Sequence, residues 1–471
     1  MNFISLEYFI LLVLAVTASR ILKPKLAVWA VLLASLVFYG WGYPAYLILL
    51  LGVGTLAWTG GVAVERWRSP IVLWALIITA LVPLFYFKYL GFSITTFNDI
   101  ATLFGAPAQT GSYMAAITLP LGISFFTFQA ISYVMDVYRR EISAERSPVT
   151  FMLFKAFFPQ LVAGPIERAP HLIPQLKALG TAQQPPLDLA TPGFQILKGL
   201  LIKFVIADNM AGPVAILFAS AATRTPADML LASYFFSIQI YCDFYGYTMI
   251  ALGSAKLFGV DLINNFNHPY YAPNIQQFWR RWHISLMLWF RDYVYVPLGG
   301  NRRGRIILIR NVLIVMTLTA LWHGANYTFL IWGLGHGALL MLHRLFGWAR
   351  QQIKLPSLGI IGSILGTLLT FHAVTALWIF FRAPDLATAI VVLSKIATLP
   401  LSGWHVTLPN YSFYLGVGAL FVVFSLADYL STIESRLAAS ALPIQAAAIA
   451  SVLLLTYAGP FADVQFIYFQ F

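Results

Sequence analysis

Two stretches of this 471-residue chain concentrate the side chains able to do chemistry. The first runs from Gln276 to Asn301, QQFWRRWHISLMLWFRDYVYVPLGGN, where Arg280, Arg281, His283, Arg291 and Asp292 are interleaved with Trp, Phe and Tyr. Planar guanidinium forks beside aromatic faces suit a phosphate-rich, nucleotide-bearing ligand, and on that reading Trp279, Arg280, Arg281 and Arg291 are the candidates to hold it. The same composition suits an interfacial anchor, with aromatics at headgroup level and arginines on anionic lipid, and composition alone favours the anchor. The second stretch is Leu321 to Gly337, LWHGANYTFLIWGLGHG. His323 precedes Gly324 at an expected helix end, where an imidazole can face a cavity and take a proton from a hydroxyl near neutral pH. His336 lies between Gly335 and Gly337, and Gly333 with Gly337 makes a small-xxx-small face, so a hydrogen-bonded packing role is as well supported for it as a catalytic one. Asp243, in YCDFYGY, is expected to bridge helices through Gln239 or a tyrosine.

Other chemistries lack their signatures. His283, His323, His336 and His343 are assembled by no local metal-binding pattern, HExxH is absent, and a lone cysteine, Cys242, supports neither a cysteine zinc site nor a disulfide, so no metal is expected. No G-x-S-x-G elbow or phosphate loop occurs, which argues against a serine hydrolase or an ATP-driven pump.

The elements that must position these residues are membrane helices. The chain is 60% hydrophobic and 10% charged, with mean hydropathy +0.79, which is incompatible with a soluble protein of this length. Apolar runs of spanning length recur from Phe3–Thr17 to Leu442–Gly459, about twelve in all, so the expected fold is an all-α, multi-pass bundle forming one domain. Basic residues follow every second run: Arg20, Lys23 and Lys25; Arg66 and Arg68; Arg139, Arg140 and Arg146; Lys256 through Arg305; Arg344, Arg350 and Lys354. These mark the cytoplasmic side and place both termini outside. The excess of 29 Lys and Arg over 17 Asp and Glu is thereby a topology signal and a lipid contact, and no nucleic acid is implied. Two stretches, Phe151 to Leu176 and Asn264 to Arg305, are broken by prolines and are expected to form re-entrant or interfacial helices flooring a pore-like core.

In LPLGISFFTFQAISYVMDVYRR (119–140), FPQLVAGPIER (158–168), NNFNHPYYAPNIQQFWRRWHISLMLWFRDYVYVPLGGNR (264–302) and LWHGANYTFLIWGLGHG, the chain resembles the membrane-bound O-acyltransferases, specifically their bacterial alginate O-acetyltransferase branch. The resemblance spans about residues 110–345. It implies a funnel-like core in a bacterial inner membrane, with acetyl moved from cytoplasmic acetyl-CoA toward an extracytoplasmic polysaccharide such as alginate or cellulose. It also implies an extracytoplasmic SGNH-type partner. The family's two functional histidines map onto His283 and His323, the latter being the one held essential. One departure stands out: the branch usually reads close to DFSGYSDMAIG, whereas this chain has DFYGYTMIALG, with Tyr245 and Met249 replacing a serine and an aspartate, which puts in doubt any polar role that the resemblance would carry to those two positions.

The last twelve residues, 460–471, end in FIYFQF. An aromatic belt anchoring the final helix is the plain reading. Pro460 to Gln465 breaks away from that helix, however, and in the related teichoic acid D-alanylation system a small partner protein ends in a similar motif whose tyrosine is proposed to receive the acyl group. The resemblance therefore makes Tyr468 a candidate acyl relay. The competing functional classes are a lipid-linked sugar transporter or flippase, which would show repeat symmetry between halves that is not evident here, and a scaffold that docks a soluble transferase.

Overall fold

A computed structural model describes residues 1, 3–105, 119–162, 164–181, 186–302, 304–354, 359–399 and 404–429. Tyr468, the rest of the 460–471 tail, the expected last span at 442–459 and the start of the one at 114–135 lie outside the described residues. Within them all regular structure is helical. The longer helices are α1 (Leu6–Ile21), α2 (Pro24–Gly40), α3 (Tyr46–Trp67), α4 (Pro70–Leu103), α5 (Ile123–Arg139), α6 (Pro148–Ala156), α7 (Ala169–Leu179), α8 (Ala190–Ala219), α9 (Pro226–Leu257), α10 (Ile275–Arg281), α11 (Ile284–Phe290), α12 (Arg305–His323), α13 (Tyr327–Ile353), α14 (Gly359–Arg382), α15 (Leu386–Ala397) and α16 (Tyr411–Tyr429). Their starts follow from local chemistry. Pro24, Pro70 and Pro148 sit in first turns, where a missing N–H costs nothing, and the side chains of Ser5, Ser147, Asn274, Asn326 and Asp385 each accept a first-turn N–H.

Among the described residues seven helices, α3, α4, α8, α12, α13, α14 and α16, are long and apolar enough to cross a membrane. Helices α2 and α15 are apolar but shorter. The chain is a multi-pass membrane protein.

Two compact units are formed, Met1–Pro192 with Ala251–Ile263, and Gly193–Ile250 with Asn264–Phe471. In the first, Tyr8, Phe38 and Phe158 pack with ring centroids 5.8 Å apart, and the Tyr8 hydroxyl donates to Ser254 Oγ at 2.8 Å. The proline-broken 151–176 stretch is here a set of short helices whose Phe151, Leu153 and Phe154 are fully buried. The turn after α5 is pinned by Glu65, which accepts Ala144 N at 2.9 Å, and by Trp58, whose indole donates to the Glu145 carbonyl at 2.9 Å.

The second unit carries the chemistry-bearing stretches. Helices α8 and α9 cross backbone to backbone: a Cβ on Gly199 would come within 2.5 Å of the Gly246 carbonyl oxygen. That approach sets Lys203, in a π-helical turn at Ile202–Ala207, against Asp243 at 2.7 Å and Asp208 at 2.5 Å. Asp243 thus meets a lysine on a crossing helix, a partner the sequence reading did not name. Burial explains it, because a charge taken out of water requires a counter-charge and a hydrogen-bonded one is the least costly. Nearby on α9 the Tyr245 hydroxyl donates to Asp428 Oδ2 at 3.1 Å, and Asp428 Oδ1 meets Lys198 Nζ at 2.5 Å. Position 245 therefore keeps a polar role with a phenol, while Met249, 4% exposed, is packed as an apolar side chain.

Candidate active site

The site is built around a kink. Helix α10 ends at Arg281, Trp282 is extended, and His283 takes a left-handed conformation (φ 46°, ψ 53°) before α11 begins. A non-glycine residue pays about 1–2 kcal/mol for that backbone, so surrounding bonds must hold it. The chain at 264–268 does so. The Asn265 carbonyl accepts Ile284 N at 2.9 Å, its side-chain oxygen accepts Ser285 Oγ at 2.6 Å and Ser285 N at 3.3 Å, and Asn267 N donates to the Arg281 carbonyl at 3.0 Å. Asn265 is fully buried. It is a positioning residue that the sequence signals only as one asparagine among three in NNFN, a pattern that does not distinguish a buried clamp from a turn.

The clamp delivers His283 to the interior. Its ring meets Phe244 edge-on at 4.8 Å and Trp322 at 5.4 Å, and burial pushes its imidazole down to about 3, so the ring is neutral over the physiological range. His323 arrives from another element. It is the last residue of α12, 3% exposed, with Trp322 at 4.9 Å, Trp332 at 5.2 Å and Phe381 at 5.2 Å. The two histidines, far apart in sequence, stand with ring centroids 6.2 Å apart. Both rings touch Trp322, and the low-polarity Trp and Phe surroundings strengthen charge interactions at the pair.

His336 stands one step further along α13. It is fully buried, stacked on Phe278 at 6.2 Å and edge-on to Trp279 at 4.9 Å and Trp332 at 5.0 Å. Trp332 therefore touches both His323 and His336. The glycines beside His336 serve packing: a Cβ on Gly333 would lie 2.5 Å from the Met316 carbonyl oxygen of α12, and one on Gly335 would lie 2.5 Å from Leu377 of α14. Neither His336 ring nitrogen has a hydrogen-bond partner among the described residues, so the hydrogen-bonded packing role is not seen there.

The four residues expected to hold a phosphate-rich ligand are divided between environments. Trp279 is 4% exposed and belongs to the aromatic wall under His336. Arg280 is exposed, and Arg281, half-buried, donates to the Tyr271 carbonyl at 3.4 Å. Arg291 is exposed and forks onto Asp292, at 2.5 and 3.0 Å. The π-helical turn Arg291–Tyr295 that follows α11 is continued by Pro297 to Gly300, which α12 holds through Arg310 Nη2 to the Leu298 carbonyl (3.0 Å) and Asn311 Nδ2 to the Gly300 carbonyl (2.9 Å). No group of three or more His, Cys, Asp or Glu that could hold a metal ion occurs among the described residues.

Two buried histidines within an aromatic cage, one of them held neutral by burial, with arginines at the outer surface of α10, are suited to proton transfer and oxyanion stabilisation on a substrate whose charged part stays outside. Residues 139–383 match the membrane-bound O-acyltransferase family. The chain is 37% identical over 366 residues to the probable alginate O-acetylase AlgI of Pseudomonas aeruginosa, covering 76% of this chain and 67% of that protein. It is 36% identical over 422 residues to the peptidoglycan O-acetyltransferase of Helicobacter pylori, covering 84% and 77%, and 32% identical over 264 residues to the teichoic acid D-alanyltransferase of Bacillus subtilis, covering 54% and 66%.

Proposed function

Because this chain belongs to the membrane-bound O-acyltransferase family and is an O-acyltransferase, we propose that it transfers acetyl from cytoplasmic acetyl-CoA across a bacterial inner membrane for O-acetylation of an extracytoplasmic glycan. The relatives act, by their names, on alginate, peptidoglycan and teichoic acid, so the acceptor class is a cell-envelope polymer. The observation that carries the chemistry is the approach of His283 and His323 to 6.2 Å in a buried cage. His323 acts as general base: it takes the proton of an acceptor hydroxyl as that oxygen attacks the thioester carbonyl. A neutral His283, donating from one ring nitrogen, stabilises the oxyanion. Attack forms the new C–O bond; collapse of the tetrahedral intermediate re-forms the carbonyl and breaks the C–S bond, and His323 returns the proton to the departing thiolate. Arg280, Arg281 and Arg291 meet the phosphates of the donor from the surface side, while Trp279 lies inward in the wall beneath His336.

The acceptor hydroxyl in the first transfer is that of Tyr468, whose aryl ester then acylates a nucleophile of an SGNH-type partner outside. The threading that goes with this reading has about twelve spans and both termini outside. Replacement of His323 by Ala is expected to abolish polymer acetylation in cells, and inside-out vesicles given radiolabelled acetyl-CoA should lose label on the protein and its partner. Acetylation that persists in the variant at wild-type level overturns the assignment.

A further inference from the structure

Helices α13 and α14 are tightly packed at one end and parted at the other. At the packed end the glycine at 335 admits Leu377, and Trp332 stacks on Trp378 at 5.7 Å. Toward the other end Gly362, Ser363, Leu365, Gly366 and Leu369 of α14 line a groove of about 850 Å³, and Gly366 admits the Pro273 carbonyl to its floor. Its floor is Pro273 to Ile275, the start of α10. On α13 the groove is lined by Leu339, Leu342, His343, Phe346 and Arg350, whose spacing of three and four residues puts them on one face of the helix. The rim is apolar and open: Leu342 is 60% exposed, Phe346 62% and Leu369 72%. Both helices are among those long and apolar enough to cross a membrane, and an exposed apolar rim on such helices is suited to lipid.

We propose that this groove is the binding site of an anionic phospholipid, with acyl chain between α13 and α14 and phosphate at Arg350, assisted by His343. The lipid is the occupant because most of the groove's lining is apolar, Leu339, Leu342, Phe346, Leu365 and Leu369 among it, and Arg350 stands at one end, the pattern of an acyl chain joined to a phosphate. Basic pockets between membrane helices take anionic headgroups on the same grounds, and a volume of this size is in the range of about 300–1,000 Å³ typical of sites for molecules of several tens of atoms. A gap open to the bilayer is also filled by the solvent at hand, which is lipid. The site is separate from the histidine cage and independent of the acyl-transfer reading.

The test is native mass spectrometry and thermal unfolding of the full chain in detergent, after delipidation and re-addition of phosphatidylglycerol, phosphatidylcholine or inorganic phosphate. Wild type should retain one phosphatidylglycerol and be stabilised by it at concentrations about tenfold lower than by phosphatidylcholine, the factor expected from one charge-assisted phosphate contact, and should not respond to inorganic phosphate. Arg350→Gln should erase the preference for the anionic lipid while Arg350→Lys keeps it. Ser363→Trp, which fills the groove, should remove retention of both lipids. Equal response of wild type to the two lipids, stabilisation by inorganic phosphate alone, or unchanged retention in Arg350→Gln and Ser363→Trp overturns the proposal.

Discussion

At the scale of single residues, the cage depends on His283 being kept neutral. Its imidazole sits far below its ordinary value because burial disfavours the charged ring, so the unfolded chain binds a proton that the folded chain refuses. The linkage sign follows: stability is unaffected by this group above pH ~6.5 and falls as pH drops toward 3, by up to about 1.4 kcal/mol per pH unit. His171 runs the other way. Its hydrogen bond to Glu167 at 2.7 Å raises its affinity for a proton, and what it contributes is present below pH ~6.5 and fades as pH rises. Thermal unfolding between pH 7 and 5 should therefore show a shallower acid loss in His283→Gln than in wild type; parallel curves would mean that His283 is already solvated. His323 was legible from its type and its place at a helix end, whereas His283 was singled out only by the family resemblance. Asn265 was not legible, because what makes it matter is the left-handed backbone it clamps.

At the scale of helices, the positions of His323 and His336 are set by how closely α12 and α13 approach. Gly333 is the contact, with the Met316 carbonyl where a side chain would start. Gly333→Ala should cost about 1–3 kcal/mol through overpacking against backbone, which cannot rotate away, and should reduce transfer activity by displacing His323. Gly347 lies on the same helix, and a Cβ added there would meet nothing within 4 Å, so Gly347→Ala is the matched control and should unfold at or slightly above the wild-type temperature, having gained helix propensity. A loss in both variants would trace the effect to α13 itself rather than to its contact. The small-xxx-small pattern was legible in the sequence; which neighbour each glycine admits, α12 for Gly333 and α14 for Gly335, was not.

At the scale of the whole molecule, the reaction needs a donor on one side of a membrane and an acceptor on the other, and the C-terminal tail is proposed to join them. Tyr468→Phe keeps the ring and removes only the oxygen, so polymer acetylation should be lost while the amount of protein in the membrane is unchanged. Full acetylation would return FIYFQF to the role of an anchor. Composition by itself determined that the chain lives in lipid and is helical, since a long, mostly apolar chain with continuous apolar runs has no other way to satisfy its backbone there, and the order of its motifs determined its family. Tertiary structure decided the rest. It brought His283 and His323 to 6.2 Å, gave Asp243 a lysine from a crossing helix, turned Trp279 inward while leaving Arg280 and Arg291 outside, and opened a groove where α13 and α14 part. The reason is physical: periodicity and composition report what one segment does with its own backbone and its solvent, whereas a meeting of side chains from separate helices depends on crossing points, and those are set by small residues whose partners lie far away in the chain.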